Sequence, residues 1–108
     1  MSDWITICDD TDLIPGTGVC ALVGDEQVAI FKTRKDGAVY AIGNYDPIGK
    51  ANVLSRGITG SIGDEIVVAS PLYKQHFSLT SGRCLEDDSK SVKTYSVKVD
   101  SGKVYVKQ

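Results

Sequence analysis

The fold is decided most clearly by the stretch YSVKVDSGKVYVK, which occupies positions 95–107. Apolar and polar residues alternate on both sides of Asp100-Ser101-Gly102, and this period of two is typical of antiparallel strands joined by a tight turn. We expect the two arms to face each other through their valines, which are Val97, Val99, Val104 and Val106. The end of the chain is therefore predicted to be a half-buried β-hairpin.

The same alternation upstream predicts a meander of three strands. These strands are expected at 19–23, 28–31 and 39–42, with turns at Gly24-Asp25-Glu26 and Lys35-Asp36-Gly37 between them. No long segment has the 3.6-residue period of an amphipathic helix. The pattern predicts an all-β fold built from antiparallel sheets.

Farther along the chain, turn-forming residues bound two more predicted strands. The turn at 62–65 introduces a strand at 65–69, and a strand at 76–79 ends in the turn at 80–83. A short strand at Cys84-Leu85 is expected to follow.

Two stretches do not alternate and are predicted to be loops, 44–57 and 70–75. Each carries a proline next to a polar residue, directly after a strong strand. Loops on a β-scaffold commonly carry function, so these two form the candidate site. The segment 86–93, acidic and then basic, is expected to be a solvated connection.

Length and composition indicate one globular domain, 1–108, because 108 residues are too few for two independent cores. The 42% hydrophobic and 24% charged residues are typical of folded globular proteins. A net charge of -2 leaves no basic excess for a nucleic-acid backbone. No apolar run approaches the roughly 20 residues of a membrane helix. We expect neither nucleic acid nor a membrane as a partner, and a monomer when the chain is isolated.

The cysteines and the amino terminus both favour a cytoplasmic location. Cys8, Cys20 and Cys84 are odd in number and form no C-x-x-C motif, which argues against a disulfide framework and a zinc or redox site. We expect them to be small, partly buried residues. The first residues, MSDWITICDDTD, are acidic where a signal peptide is basic and then apolar.

The order of these elements resembles the Rieske iron–sulfur domain over nearly the whole chain. The shared sequence is a strand, a proline loop, Leu-Ser-x-Gly, a strand, a second proline loop, x-Phe-x-Leu-x-x-Gly and a terminal hairpin. The resemblance implies a Rieske-like β-sandwich of two or three small antiparallel sheets, with the loops at 46–49 and 70–75 adjacent at one end. Rieske loops read C-P-H-x-G and C-P-x-H-G, and their two thiolates and two imidazoles hold the two irons.

All four ligand positions of that pattern are lost in this chain. In the first loop the resemblance places Asp46 at the cysteine position and Ile48 at the histidine position, and in the second it places Ser70 and Tyr73 there. Neither an isoleucine nor a neutral hydroxyl replaces a thiolate or an imidazole as a donor to iron. We therefore expect no cluster, no other metal and no cofactor on this chain. Ile48 and Tyr73 are expected either to fill the space of the cluster or to form an exposed contact patch.

A Rieske-like domain with both loops and no ligands is similar to the small subunits of assimilatory NAD(P)H-dependent nitrite reductases. The similarity includes Trp4 in a first strand and the stretches 18–22, 24–31 and 53–57. It implies an accessory subunit, without a catalytic centre, of an enzyme that reduces nitrite to ammonium in nitrate assimilation. The partner would be a large subunit that carries FAD, an iron–sulfur cluster and sirohaem.

Three polar residues invite a catalytic interpretation that we do not favour. Asp46 precedes a proline at the start of a loop, where aspartate more often accepts local hydrogen bonds from backbone amides. Ser70 has no indicated base with an orienting acid. His76 is the only histidine and is expected to point away from the core if Phe77 points inward. We predict no catalytic residue.

The residues predicted to contact a partner lie in or near the two loops, where basic side chains could dock on an acidic surface. They are Pro47, Lys50, Arg56, Pro71 and Lys74. Two other functions stay open. One is a general protein-interaction module on the same scaffold, and the other is an electron carrier of Rieske-ferredoxin type, which the missing ligands disfavour.

Overall fold

The computed structural model describes residues 4–33, 37–72 and 74–107. The described segments form eleven strands and two 3-10 turns. The strands are β1 Trp4–Asp9, β2 Gly18–Val23, β3 Glu26–Lys32, β4 Val39–Gly43, β5 Tyr45–Asp46, β6 Ala51–Asn52, β7 Ile58–Ile62, β8 Glu65–Ala69, β9 His76–Ser78, β10 Thr94–Asp100 and β11 Lys103–Lys107. The 3-10 turns are Asp10–Asp12 and Leu54–Arg56. The predicted turn at Lys35-Asp36 and the residue Tyr73 lie outside the described residues.

The terminal hairpin is confirmed with the predicted pairing. Val97 lies opposite Val106, and Val99 lies opposite Val104. The turn between β10 and β11 places Ser101 at φ 53° and Gly102 at φ 78°. Two central residues with positive φ are typical of a type I′ turn, whose twist matches that of the strands it joins. Turn chemistry therefore sets the register of this hairpin.

The meander of β2, β3 and β4 is also confirmed, and it belongs to the same sheet as the hairpin. The sheet order is β1-β11-β10-β4-β3-β2. The two halves are joined by two ladder pairs, Thr94 with Ile42 and Tyr95 with Ala41, and by the Gly43 amide, which donates to the Lys93 carbonyl at 2.8 Å. The sequence pattern predicted each half but not this junction, because pairing between distant strands has no local signal.

A second sheet, in the order β7-β8-β9, positions the second loop, which follows β8. The expectation of a plain loop at 44–57 is wrong in part. This stretch contains the small sheet of β5 and β6 and the 3-10 turn Leu54–Arg56, because side chains within it supply hydrogen bonds that no periodicity predicts. The expected strand at Cys84-Leu85 is reduced to a single bridge between Phe77 and Cys84.

Two hydrophobic cores lie on opposite faces of β3. Val28 and Ile30 belong to the first core, with Val104 and Val106 of the hairpin. Ala29 and Phe31 belong to the second core, which includes the following residues of the site side: Leu54, Val68, Phe77, Leu79 and Cys84. A strand that is buried on both faces has a continuous run of apolar residues in its sequence. The all-β class with three antiparallel sheets is confirmed.

Candidate functional site

The two proline loops form the same backbone turn. In the first loop the Lys50 amide donates to the Asp46 carbonyl at 2.7 Å, and in the second the Lys74 amide donates to the Ser70 carbonyl at 3.0 Å. Both lysines have positive φ, 59° for Lys50 and 63° for Lys74. Each turn therefore closes four residues after the position that carries cysteine in a Rieske domain.

The side chain of Asp46 stabilises the first turn through hydrogen bonds to backbone amides of that turn. Its side chain is fully buried, and its Oδ1 accepts hydrogen bonds from the amides of Ile48 at 2.8 Å and Gly49 at 3.0 Å. This is the local bonding expected of an aspartate before a proline. A buried carboxylate is costly unless it is bonded in this way. Asp46 is therefore a structural acceptor and not a free base.

Ser70 connects the two loops. It is 1% exposed, and its hydroxyl donates to Asp46 Oδ2 at 2.5 Å while it accepts the amide of Leu72 at 3.3 Å. Close packing accompanies this bond, since a Cβ built on Gly49 would lie 2.5 Å from Leu72 Cδ1. The predicted adjacency of the loops is confirmed. We call the bond between Ser70 and Asp46 the loop clasp.

Asn44 supports the first loop, although it was not predicted as a site residue. It is 2% exposed, and its Oδ1 accepts the Ser55 amide at 2.7 Å. Its Nδ2 donates to Gln27 Oε1 at 3.1 Å. Asn44 thus ties the loop to β3 and to the 3-10 turn. The sequence feature that could have pointed to Asn44 is its position as an amide residue between the strand β4 and the first proline loop.

The residues at the ligand positions do not fit an iron–sulfur cluster. Asp46 and Ser70 are bonded to each other and to backbone amides, and the side chain of Ile48 packs against the second core. Neither a thiolate nor an imidazole is among them, so the soft donors of a Rieske centre are missing. Tyr73 lies outside the described residues. Within the described part of the chain, no group of three or more His, Cys, Asp or Glu side chains is placed to hold a metal ion.

The residues predicted to contact a partner are on the surface. Lys50, Pro71 and Lys74 are exposed at the loop turns, and Pro47 is partly exposed. Arg56 is exposed at the end of the 3-10 turn, which packs on β2 and β3. Four of the five therefore lie on the turns that the clasp joins, and their role in docking stays a prediction.

His76 and the cysteines lie outside the loop clasp. His76 Nδ1 lies 2.7 Å from Glu86 Oε2 with its side chain 33% exposed, as expected for a surface histidine. Burial raises the pKa of the Cys8 and Cys84 thiols, which keeps them protonated at neutral pH. The expectation of partial burial is wrong for Cys20, which is exposed because its side chain lies with that of Leu22 on the outward face of the edge strand β2.

The sheet architecture and the paired proline loops define a Rieske-type domain that has exchanged its ligands for a hydrogen-bonded clasp. A family model described as Rieske-like [2Fe-2S] domain matches residues 3–107. The ferredoxin of carbazole 1,9a-dioxygenase from Nocardioides aromaticivorans shares this fold with a TM-score of 0.82 at 24% identity, over 98% of each chain. In the described part of the chain, no helix has the length and apolar character needed to cross a membrane.

More similar relatives are nitrite reductase subunits. The chain is 50% identical over 107 residues to the nitrite reductase (NADH) small subunit of Escherichia coli K12, covering 99% of both. A structure of the small subunit from Mycobacterium tuberculosis, described as putative and NADH-dependent, has a TM-score of 0.93 at 45% identity, over 97% of this chain and 94% of that one. The chain belongs to the Rieske-like [2Fe-2S] domain family and, within it, to the nitrite reductase small subunits.

A third relative places this domain inside a longer protein. The nitrite reductase [NAD(P)H] large subunit of Klebsiella oxytoca is 45% identical to this chain over 104 residues. That match covers 95% of this chain and 11% of the Klebsiella protein. In that relative, the domain and the remainder of the large subunit are therefore parts of one polypeptide.

Proposed function

We propose that this chain is the accessory small subunit of an NAD(P)H-dependent nitrite reductase and contributes no cluster or catalytic group of its own. The observation that carries this proposal is the full-length identity of 50% with a nitrite reductase (NADH) small subunit. The replaced ligands agree with it, because the positions that hold a cluster in Rieske domains form a protein clasp here.

The chemistry of the reaction then belongs to the partner. We infer a large subunit that carries FAD, an iron–sulfur cluster and sirohaem, works in the cytoplasm and reduces nitrite to ammonium. The small subunit is a monomer when isolated and acts by binding. A domain covalently joined to the large subunit in the Klebsiella relative supports a partnership between the same two parts.

The loop clasp gives this role a physical basis. The hydrogen bond between Ser70 and Asp46 holds both turns in one arrangement before a partner arrives. A preorganised surface loses less conformational freedom on binding than a flexible one. We propose that the clasped turns present the residues predicted to contact the partner, which are Pro47, Lys50, Arg56, Pro71 and Lys74.

The test is nitrite-dependent oxidation of NADH by the purified large subunit, with and without this chain, and a binding assay on the same samples. We expect saturable binding and increased or longer-lasting turnover. The double variant Arg56→Glu with Lys74→Glu should bind more weakly if the loop face docks. The matched control, Lys98→Glu with Lys107→Glu, changes the same charge on the terminal hairpin. Absence of both binding and any effect on turnover would favour a general interaction module instead.

A further inference from the structure

A cavity of about 380 Å³ opens beside the first proline loop, at a place that the loop clasp does not use. The first loop forms one wall through Tyr45 and Pro47, and the start of β10 forms another through Tyr95. The turn between β2 and β3 supplies Asp25, and the first residue of β3 supplies Glu26. The cavity therefore joins three separate parts of the chain, and its shape exists only in the folded protein.

The polar groups of the cavity are held in place before any ligand binds. Lys93 Nζ lies 3.2 Å from Glu26 Oε1 and 4.9 Å from the centre of the Tyr95 ring. Burial, together with the charge of Glu26 and a hydrogen bond to it, raises the pKa of Tyr95 to about 12. The phenol stays neutral at physiological pH, so it donates to Glu26 throughout the working range.

Exposed apolar side chains stand near this polar cavity. Tyr45 is 48% exposed in its wall, and Leu22 is 68% exposed. Leu22 is the ladder partner of Gln27, so the two side chains stand on the same face of the sheet. Gln27 lines the cavity. Polar groups next to exposed aromatic and aliphatic side chains are typical of protein interfaces.

The charge of the cavity selects the kind of group that fits it. Glu26 is neutralised by Lys93, whereas Asp25 forms no ion pair with any described residue. The lining therefore has an excess of one negative charge. Two tyrosines belong to the same lining, Tyr45, which is 48% exposed, and Tyr95, which is 8% exposed with Lys93 over its ring. A carboxylate in the same cavity as an exposed aromatic ring, here Tyr45, suits a guanidinium, which forms hydrogen bonds in its plane and stacks with its faces.

We propose that this cavity is a docking pocket for an arginine side chain of the nitrite reductase large subunit, with Asp25 as its counter-charge and Leu22 and Tyr45 as its apolar border. The inference rests on the proposed function. Arginine in a pocket with an aromatic wall is a common anchor of protein interfaces. The Klebsiella relative, in which the domain is part of the large subunit, favours that subunit as the source.

The chain contains a matched control for the counter-charge. Asp25 follows Gly24 in the two-residue turn between β2 and β3, and Asp64 follows Gly63 in the turn between β7 and β8. The two glycines have φ of 61° and 60°, and both aspartates are exposed. Asp25→Lys and Asp64→Lys therefore make the same chemical change in the same kind of turn, and only the first places it in the cavity.

The experiment measures binding of each variant to the purified large subunit at low ionic strength. We expect Asp25→Lys to weaken binding by about tenfold or more and Asp64→Lys to change it by less than about twofold. Thermal unfolding of both variants checks that the fold is intact. Equal affinity of the two variants would overturn the pocket and leave the accessory-subunit function standing. Failure of the unmodified chain to bind would overturn both.

A second pair of variants tests the apolar border in the same assay. Leu22→Ser removes a 68% exposed side chain across the ladder from Gln27, which lines the cavity. Ile62→Ser removes a 44% exposed side chain at the end of β7 that lies away from the two loops. We expect a loss of about fivefold or more in affinity for Leu22→Ser only, because the serine removes most of the apolar area that Leu22 would bury against the partner. An equal effect of the two serine variants would contradict the assigned border.

Discussion

The two proline loops share a backbone turn but use their side chains in opposite ways. The side chain of Asp46 only accepts hydrogen bonds, two from amides of its own loop and one from the hydroxyl of Ser70. Ser70 accepts one amide and donates its proton across to Asp46. One loop therefore supplies a charge and the other supplies the donor that satisfies it.

This difference explains how a Rieske-type fold keeps its loops together without iron. A cluster joins the two loops through four metal bonds, two from each loop. Here one hydrogen bond to a charged acceptor and the contact between Gly49 and Leu72 take over that connection. The loops are then unequal, because the first keeps its own bonds when the second is changed, whereas removal of Asp46 affects both.

The largest effect is expected for Asp46→Ala. The change leaves the partly buried amides of Ile48 and Gly49 and the buried Ser70 hydroxyl without their acceptor, and each lost partner costs free energy. We expect a loss of about 3 kcal/mol in the free energy of unfolding, measured by urea denaturation. Asp64→Ala, on an exposed turn residue, is the control and should change stability by less than about 0.5 kcal/mol. Equal effects would show that the clasp adds no stability.

A smaller effect is expected for Ser70→Ala. Asp46 keeps its two local amide bonds, so only the bond between the loops is lost, together with the bond from the Leu72 amide. We expect a loss of about 1.5 kcal/mol in the free energy of unfolding. Ser61→Ala on the exposed face of β7 serves as the control. In a double-mutant cycle with Asp46→Ala, the two losses should not add, since they remove the same bond. Additive losses would disprove the clasp.

The smallest effect is expected for Gly49→Ala. The new methyl group would lie 2.5 Å from Leu72 Cδ1 and 3.0 Å from Asp46 Oδ2. Leu72 is 46% exposed and can rotate outward, so we expect a cost of only about 1 kcal/mol. Addition of Leu72→Ala should recover part of that cost, because it removes the atom that blocks the methyl group. An unchanged cost in the double variant would assign the strain to Asp46 instead.

The local parts of the structure could be predicted from the sequence. The hairpin at 95–107 and the meander from β2 to β4 follow from alternation and turn residues, which act between neighbours in the chain. The lost ligands at Asp46, Ile48 and Ser70 could also be recognised, because metal binding depends on the identity of the donor atoms. The family resemblance set the order in which these parts are assembled.

The tertiary structure decided what those residues do. Ser70 and Asp46 are 24 positions apart in the chain. Their hydrogen bond exists only because the sheets that contain β4 and β8 bring the two loops together. The role of Asn44 likewise depends on its hydrogen bond to Gln27 of β3. The cavity beside Tyr45 depends on the position of β10 next to the first loop. Sequence by itself determined strands, turns and the absence of cluster ligands, since these depend on residue type and short-range order. Long-range contacts determined the clasp and the pocket, since no local pattern encodes which distant groups meet.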